Sequence, residues 1–301
     1  MEKDINLPNL LIVGAAKSGT TSLHNYLNQH PDIFMSRHKE PHFLINSEIG
    51  EDRIHKGVTS IDDYKNMFKT QDEYIYKGES SVMYLSFPDF SIKNIRKYLS
   101  SSVKIIIMLR NPIDRAFSGY QHNMRYNPME NLNFKEAIMQ SEDRYHQNLK
   151  ITPDTRYLHV GKYYSQVKQF MCEFEDNVHI ILYNDYVRDI NLCINGVFDF
   201  LGVERVLVDS SKRHMQGGWV FKNIFLRNLL IPDNIFKTFV KKMIPIQSLR
   251  YRIKNKVMNA SVMDTASISE EMKKKLITYY KKDIILLSRL LDRDLNHWYE
   301  V

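Results

Sequence analysis

The residues Gly14-Ala15-Ala16-Lys17-Ser18-Gly19-Thr20-Thr21-Ser22 combine small side chains, one lysine and four hydroxyls directly after an apolar run. Small residues let backbone wrap closely around an anion. If a helix starts at Thr20, its first turn adds unpaired N–H groups and a partial positive charge. Lys17 supplies a point charge, and Ser18, Thr20, Thr21 and Ser22 supply hydroxyl donors around Gly19. A plain strand–turn–helix corner needs only one glycine. The surplus of donors points to a phosphate-like ligand.

The order of these residues separates ligand classes. A nucleoside-triphosphate loop reads G-x-x-x-x-G-K-[ST], with Lys after the second Gly and a hydroxyl next for magnesium. Here Lys17 precedes Gly19, and no G-x-G-x-x-G dinucleotide fingerprint is present. A second segment, Lys104 to Gln121 (KIIIMLRNPIDRAFSGYQ), sets Arg110 at the end of an apolar run and Ser118 on the helical pattern that follows. The planar guanidinium fork suits a phosphate. Arg115 reads as a structural ion pair with Asp114 or a neighbour.

These groups need a scaffold. Leu10-Leu11-Ile12-Val13, Val103 to Leu109 and Val178 to Leu182 are short apolar runs of the buried parallel-strand type, and Tyr74 to Lys77 is a weaker fourth. Helical patterns cover Thr20–Gln29, Asp62–Phe68, Ser91–Leu99, Ile113–Met124, Phe134–Ser141, Tyr163–Phe174, Asn191–Leu201 and Ser269–Leu291. Such alternation predicts an α/β fold with a central parallel sheet flanked by helices, and ligands at the carboxyl edge of its strands. Without repeats or a Gly/Ser linker, residues 1–301 read as a single domain. The polar stretch 126–158 reads as a helical lid, an acceptor-binding insertion or an ordinary surface excursion.

With both motifs in view, the chain resembles the sulfotransferase family that uses 3′-phosphoadenosine 5′-phosphosulfate (PAPS), and within it the bacterial relatives of the carbohydrate, heparan-type branch. Gly14 to Leu27 is similar to the family's 5′-phosphosulfate loop, written Lys-x-Gly-Thr-Thr. Arg110-Asn111-Pro112, Asp114-Arg115-Ala116, Ser118 and Tyr120 resemble its 3′-phosphate segment. The resemblance implies an α/β domain with a P-loop-like strand–loop–helix. It assigns Lys17, Ser18, Gly19, Thr20, Thr21 and Ser22 to the 5′ end of the donor, and Arg110 and Ser118 to its 3′-phosphate. Arg213, in Ser211 to Trp219, stands where a family loop closes over that phosphate.

Sulfuryl transfer removes a proton from the acceptor, so a carboxylate or histidine must stand near it. The resemblance places Glu40 there, because Lys39 to Leu44 is similar to the heparan-type segment Lys-Glu-x-x-Phe-Phe; Glu40 also reads as a surface pair with Lys39 or Arg37. His42 assists by hydrogen bonding or binds the acceptor, and His122 is a reserve base. Pro41 breaks the helix that a His38/His42 metal pair would need, so no metal is expected. Where the heparan branch carries Gly-Glu-Lys-Ser, this chain has Gly78-Glu79-Ser80-Ser81. The expected acceptor is a glycan, with a small metabolite as the alternative, bearing a hydroxyl or amine. A P-loop-like kinase and a non-catalytic nucleotide-binding protein remain as rivals.

Bulk composition agrees with a folded protein: 301 residues, 43% hydrophobic, with 42 basic against 35 acidic side chains for a net +7. That balance suits an anionic ligand and does not by itself call for nucleic acid. Cys172 and Cys193 match no disulfide or zinc spacing. With no signal-peptide pattern near Met1 and no apolar run of about 20 residues, a cytoplasmic enzyme is expected. Lys237, Lys241, Lys242, Arg250, Arg252, Lys254 and Lys256 form a basic stretch with no acid from Asn234 to Met263. It reads as a solvated face or as contact with an anionic glycan or membrane surface.

Overall fold

In the computed structural model the apolar run Leu10–Gly14 is a strand, β1, whose side chains divide between two cores. Leu10 and Ile12 face one, and Leu11 and Val13 face the other. All four are fully buried, as expected for a strand covered on both faces. The structure describes residues 6–54, 56–211, 219–223, 225, 227–228, 262–264 and 267–300.

Strand β1 is the middle of a five-stranded sheet. Strands β2 (Ile33–Met35), β3 (Tyr76–Ser80), β4 (Lys104–Leu109) and β5 (Val178–Leu182) complete it in the order β2-β3-β1-β4-β5. Every pairing is parallel. The chain leaves β1 toward β2 and β3 on one side, then crosses to β4 and β5 on the other. The sheet's switch point therefore lies between β1 and β4, where open α/β sheets bind ligands.

On one face, helices α1 (Thr20–Leu27) and α10 (Ile190–Leu201) bring Leu23, Leu27, Val197 and Phe198 onto Leu10 and Ile12. On the other, α4 (Pro88–Tyr98), α8 (Tyr163–Phe174) and α11 (Glu270–Leu291) pack Ile95, Phe170, Tyr280 and Ile284 against Leu11 and Val13. Burying each such side chain contributes about 1.5–3 kcal/mol. The remaining described helices are α2 (Phe43–Ile49), α3 (Ile61–Asn66), α5 (Pro112–Tyr126), α6 (Phe134–Met139), α7 (Ser141–Gln147) and α9 (Tyr183–Arg188).

Helix α5 starts abruptly because Pro112 presets its first turn and the Asn111 side chain accepts the Ile113 N–H at 2.9 Å. Arg110 is thereby fixed between the strand end and the helix start.

The α/β sheet matches the sequence expectation, with several differences. Strand β3 lies at 76–80 rather than 74–77, and its inner end carries Glu79 and Ser80, both fully buried. The single helix expected over 134–141 is two, α6 and α7, meeting at Gln140. Short elements β2, α2 and α9 carry too few periods to be visible in sequence. A two-stranded antiparallel ribbon, β6 (Trp219–Phe221) with β7 (Val262–Asp264), was also unexpected. Arg213 and the basic stretch 237–256 lie outside the described residues.

Candidate active site

Because β1 pairs with β4, from Leu10 opposite Lys104 to Gly14 opposite Ile107, the loops leaving their carboxyl ends are neighbours. The first loop takes its shape from its backbone. Lys17 has φ 69° and Gly19 φ 94°, and a Cβ on Gly19 would sit 3.3 Å from Met108 and Tyr183. Only glycine suits that position. Ser22 and Leu23 donate their N–H groups to the Gly19 carbonyl. The N–H groups of Gly19, Thr20 and Thr21 have no partner among the described residues.

Across the seam, the Arg110 guanidinium donates from Nη1 to the Lys17 carbonyl at 3.3 Å and lies 4.8 Å from the Tyr183 ring centre. The two sequence motifs therefore meet. They open into one cavity of about 1450 Å³, lined by Lys17, Gly19, Thr20, Thr21, Ser22, Arg110 and Ser118 and also by Glu40, His42 and His122. Ser18 is the exception among the expected site residues that are described. It is fully buried behind the loop and does not line the cavity. Arg115 is also buried, but it donates to the Tyr157 carbonyl instead of forming the expected ion pair.

Lys17 Nζ lies 3.3 Å from His122 Nδ1. Burial, reinforced by the charge of Arg125, lowers the Lys17 ammonium to about 8. Burial, then Lys17 and Arg125, lowers His122 to about 3. His122 is therefore a neutral ring whose Nδ1 accepts from Lys17, which orients the lysine.

Glu40 stands before α2 with φ 63°, and His42 follows with φ 51°. Both are left-handed, a conformation that costs non-glycine residues roughly 1–3 kcal/mol and clusters at functional sites. The Glu40 N–H donates to the Ser80 carbonyl at 3.0 Å, and the His42 N–H to Ser81 Oγ at 3.0 Å. Ser81 in turn donates to Glu79, whose other oxygen receives the Tyr64 and Tyr84 hydroxyls at 3.1 and 2.6 Å. This buried network anchors the Glu40 loop to the end of β3. The polar residues that hid β3 from a hydrophobicity reading are the ones that hold this loop.

The Glu40 carboxylate takes a hydrogen bond from Lys39 and lies 3.6 Å from His42 Nε2. Burial pushes its pKa up, but the His42 hydrogen bond and the Lys39 charge outweigh this and hold it well below the usual carboxylate range. The side chain keeps 38% exposure. Solvent screens a side chain so exposed, so that depression is weaker than in a sealed pair.

Among the cavity residues that sequence reasoning missed are Asp154 and Arg125. Asp154 comes from a 3₁₀ turn at Pro153–Thr155 in the 126–158 stretch, and burial raises its pKa. Arg125 lies on α5, four and seven residues from Gln121 and Ser118, on the face that also carries His122. A helix continued past Met124 would have revealed it.

Comparisons with known proteins bear on the family and the fold. A crystal structure of a sulfotransferase from Alicyclobacillus acidocaldarius is 28% identical, with a TM-score of 0.74 over 97% of this chain and 99% of that one. Carbohydrate sulfotransferase 15 from Homo sapiens is 23% identical over 248 residues, covering 65% of this chain and 44% of that protein. Bifunctional heparan sulfate N-deacetylase/N-sulfotransferase 1 from Mus musculus is 29% identical over 209 residues, covering 65% of this chain and 22% of that protein. The chain thus spans less than half the length of these curated relatives. Residues 7–244 match the family model for the sulfotransferase domain, and the chain belongs to that family.

Proposed function

We propose that this chain transfers the sulfuryl group of PAPS to a hydroxyl or amine of an acceptor, with a sugar hydroxyl as the first choice. The observation that carries the reading is the contact of Arg110 with the Lys17 carbonyl, which joins two cation-bearing loops over one cavity. PAPS carries a 5′-phosphosulfate and a 3′-phosphate on one nucleoside, and a site with two anion-binding clusters fits both. The unspent N–H groups of Gly19, Thr20 and Thr21 form a cradle for the 5′ end. Arg110 and Ser118 take the 3′-phosphate, and the wall of Tyr186, Val187 and Ile190 offers an apolar surface to the base. When bound, the donor supplies a sulfuryl group on a good phosphate leaving group.

The chain's own residues then divide the work. Glu40 takes the acceptor's proton as the acceptor oxygen or nitrogen forms its bond to sulfur. Lys17 neutralises charge on the bridging oxygen, which keeps the electron pair of the broken S–O bond and departs with 3′,5′-adenosine bisphosphate (PAP). His122 holds the Lys17 ammonium in place, and His42 steadies the Glu40 carboxylate. The left-handed backbone at Lys17, Glu40 and His42 supports the reading, since such conformations persist where surrounding structure imposes them for a purpose. The low resting pKa of Glu40 makes it a weak base in the free protein. The negative charge of the bound donor raises its basicity when it is needed.

A carbohydrate acceptor is supported by the relatives named above, and residues 126–129, 150 and 152–154 of the insertion stand along the cavity where an acceptor would enter. Cys172 and Cys193 are both free, which suits a cytoplasmic setting. No described helix is long and apolar enough to cross a membrane.

The test is a thermal-shift titration followed by transfer of labelled sulfate to a panel of sugars, amines and phenols. PAP should stabilise the protein in proportion to ln(1 + [L]/Kd), and ATP with magnesium should not. A response to ATP–magnesium alone would sink the sulfotransferase reading. Stabilisation by PAP with no transfer to any acceptor would favour a non-catalytic binding protein.

A further inference from the structure

We infer that Arg125 is a further catalytic residue, a guanidinium that holds the oxygens of the transferring sulfuryl group beside Lys17. The inference rests on the donor reading above and extends it to a residue that neither loop motif contains.

The first observation is that Arg125 is buried yet unpaired by any acid. It keeps only 4% exposure, and no carboxylate forms an ion pair with it among the described residues. Two less buried arginines are matched to acids: Arg144 binds Glu130 through both carboxylate oxygens, and Arg156 binds Glu142 through two nitrogens; Arg115 and Arg227, as buried as Arg125, place their guanidinium groups on backbone carbonyls. Arg125 donates from Nη1 to the Trp219 carbonyl at 3.3 Å, and its Nε has no partner among the described residues. Its guanidinium lies 5.1 Å from the Trp219 ring centre and 5.8 Å from that of Tyr126. Aromatic faces offset part of the cost of burying a cation, but only an anion completes the balance.

The second observation is where this cation stands. Arg125 lines the cavity. It follows His122 by three residues on α5, His122 Nδ1 lies 3.3 Å from Lys17 Nζ, and Glu40 and Lys39 line the same cavity. Arg125 therefore belongs with the reacting end of the cavity. Arg110, whose contacts are the Lys17 carbonyl and the Tyr183 ring, serves the other end. A sulfuryl group carries three non-bridging oxygens, and a guanidinium fork matches two of them, whereas Lys17 covers the bridging oxygen as a point charge.

PAP has every anionic group of PAPS except the sulfuryl group, so the pair isolates the contact without turnover. Binding of each would be measured by calorimetry at pH 7, without acceptor, for the wild type, Arg125→Gln and Arg125→Lys. The expected result is at least a tenfold loss of PAPS affinity in Arg125→Gln with less than a twofold change for PAP. Arg125→Lys, which keeps the charge and disturbs packing least, should lose PAPS affinity by a smaller factor and leave PAP unchanged. Equal loss for both nucleotides would overturn the inference, as would unchanged binding of both accompanied by a raised acceptor KM, which would make Arg125 an acceptor contact. If wild-type protein ignores PAP, the donor reading itself fails, a result distinct from failure at Arg125.

Discussion

Lys17 Nζ and His122 Nδ1 stand 3.3 Å apart, an ammonium facing a ring that burial keeps neutral. The contact joins the loop after β1 to the middle of α5 and fixes the ring's proton on Nε2. Burial, reinforced by the charge of Arg125, leaves Lys17 easier to deprotonate than an ordinary lysine.

That poise gives a pH signature for binding. An anionic ligand favours the charged lysine, so between about 8 and the higher pKa of the complex, binding takes up a proton. PAP affinity should be nearly flat close to pH 7, where its phosphates are already ionised, and fall up to tenfold per pH unit above about 8. Calorimetry in buffers of different ionisation enthalpy would show the uptake. In the free protein a lysine lowered from 10.5 to about 8 is destabilising below pH 8, and the penalty disappears as pH rises toward 10.5. Lys17→Met should therefore raise Tm at pH 7 by the equivalent of about 1–3 kcal/mol, screening allowed for, while abolishing transfer.

Glu40→Gln should reduce turnover by roughly 10²–10⁴ and leave PAP binding within about twofold. Because the carboxylate is held below its ordinary range in the free protein, kcat/KM for the donor should show no acid limb from Glu40 down to about pH 5. A wild-type rate in the Gln variant, with a competent acceptor, would remove Glu40 from the chemistry.

Arg110→Ala tests the far end of the cavity. It should weaken PAP by about 1.5–3 kcal/mol, the range for a charged hydrogen-bonded contact, and barely change binding of adenosine 5′-phosphate, which lacks the 3′-phosphate. Equal effects on both nucleotides would place Arg110 elsewhere.

Acid should unfold the protein partly through its buried histidines. His24, hydrogen-bonded through Nδ1 to Ser80 Oγ at 2.8 Å, is lowered to about 4 by burial, and His122 to about 3. Both are depressed relative to 6.5, so the unfolded chain binds protons first, and stability falls as pH drops from about 6.5 toward 4. Denaturant midpoints across that window should flatten in His122→Asn, and a slope unchanged from wild type would contradict the assignment.

Gly14 is the most constrained glycine of the donor loop. With φ 154°, an added Cβ would lie 2.7 Å from Leu85 Cβ and 2.9 Å from the Val82 carbonyl. Gly14→Ala should cost about 2–4 kcal/mol by overpacking and backbone strain, read as a lower urea midpoint with unchanged slope.

Much of this architecture is legible in the chain because apolar runs such as Leu10–Val13 and Lys104–Leu109 need both sheet faces covered. The donor loop is legible because lysine, glycine and hydroxyls crowd within a few residues. Strand β3 was harder to place, since Glu79 and Ser80 look like a surface turn until Tyr64, Tyr84 and His24 are seen to satisfy them. Arg125 was hidden for a different reason: α5 was expected to stop at Met124, and the residues that expose the arginine's role, Trp219 and Lys17, are distant in sequence. Burial without a counter-charge is a property of three-dimensional neighbours, and no spacing rule encodes it.

Helix α5 presents Ser118, His122 and Arg125 at offsets of four and three along one side. Such a rod is a ruler, setting about 10 Å of rise between its first and last marks. Lengthening it by one residue after Ser118 would swing the later marks through about 100° and aim them away from Lys17. Insertions and deletions there should therefore be tolerated far less than exchanges of side chain. The reach of the cavity from one end to the other is set by the helix's length and only secondarily by which residues decorate it.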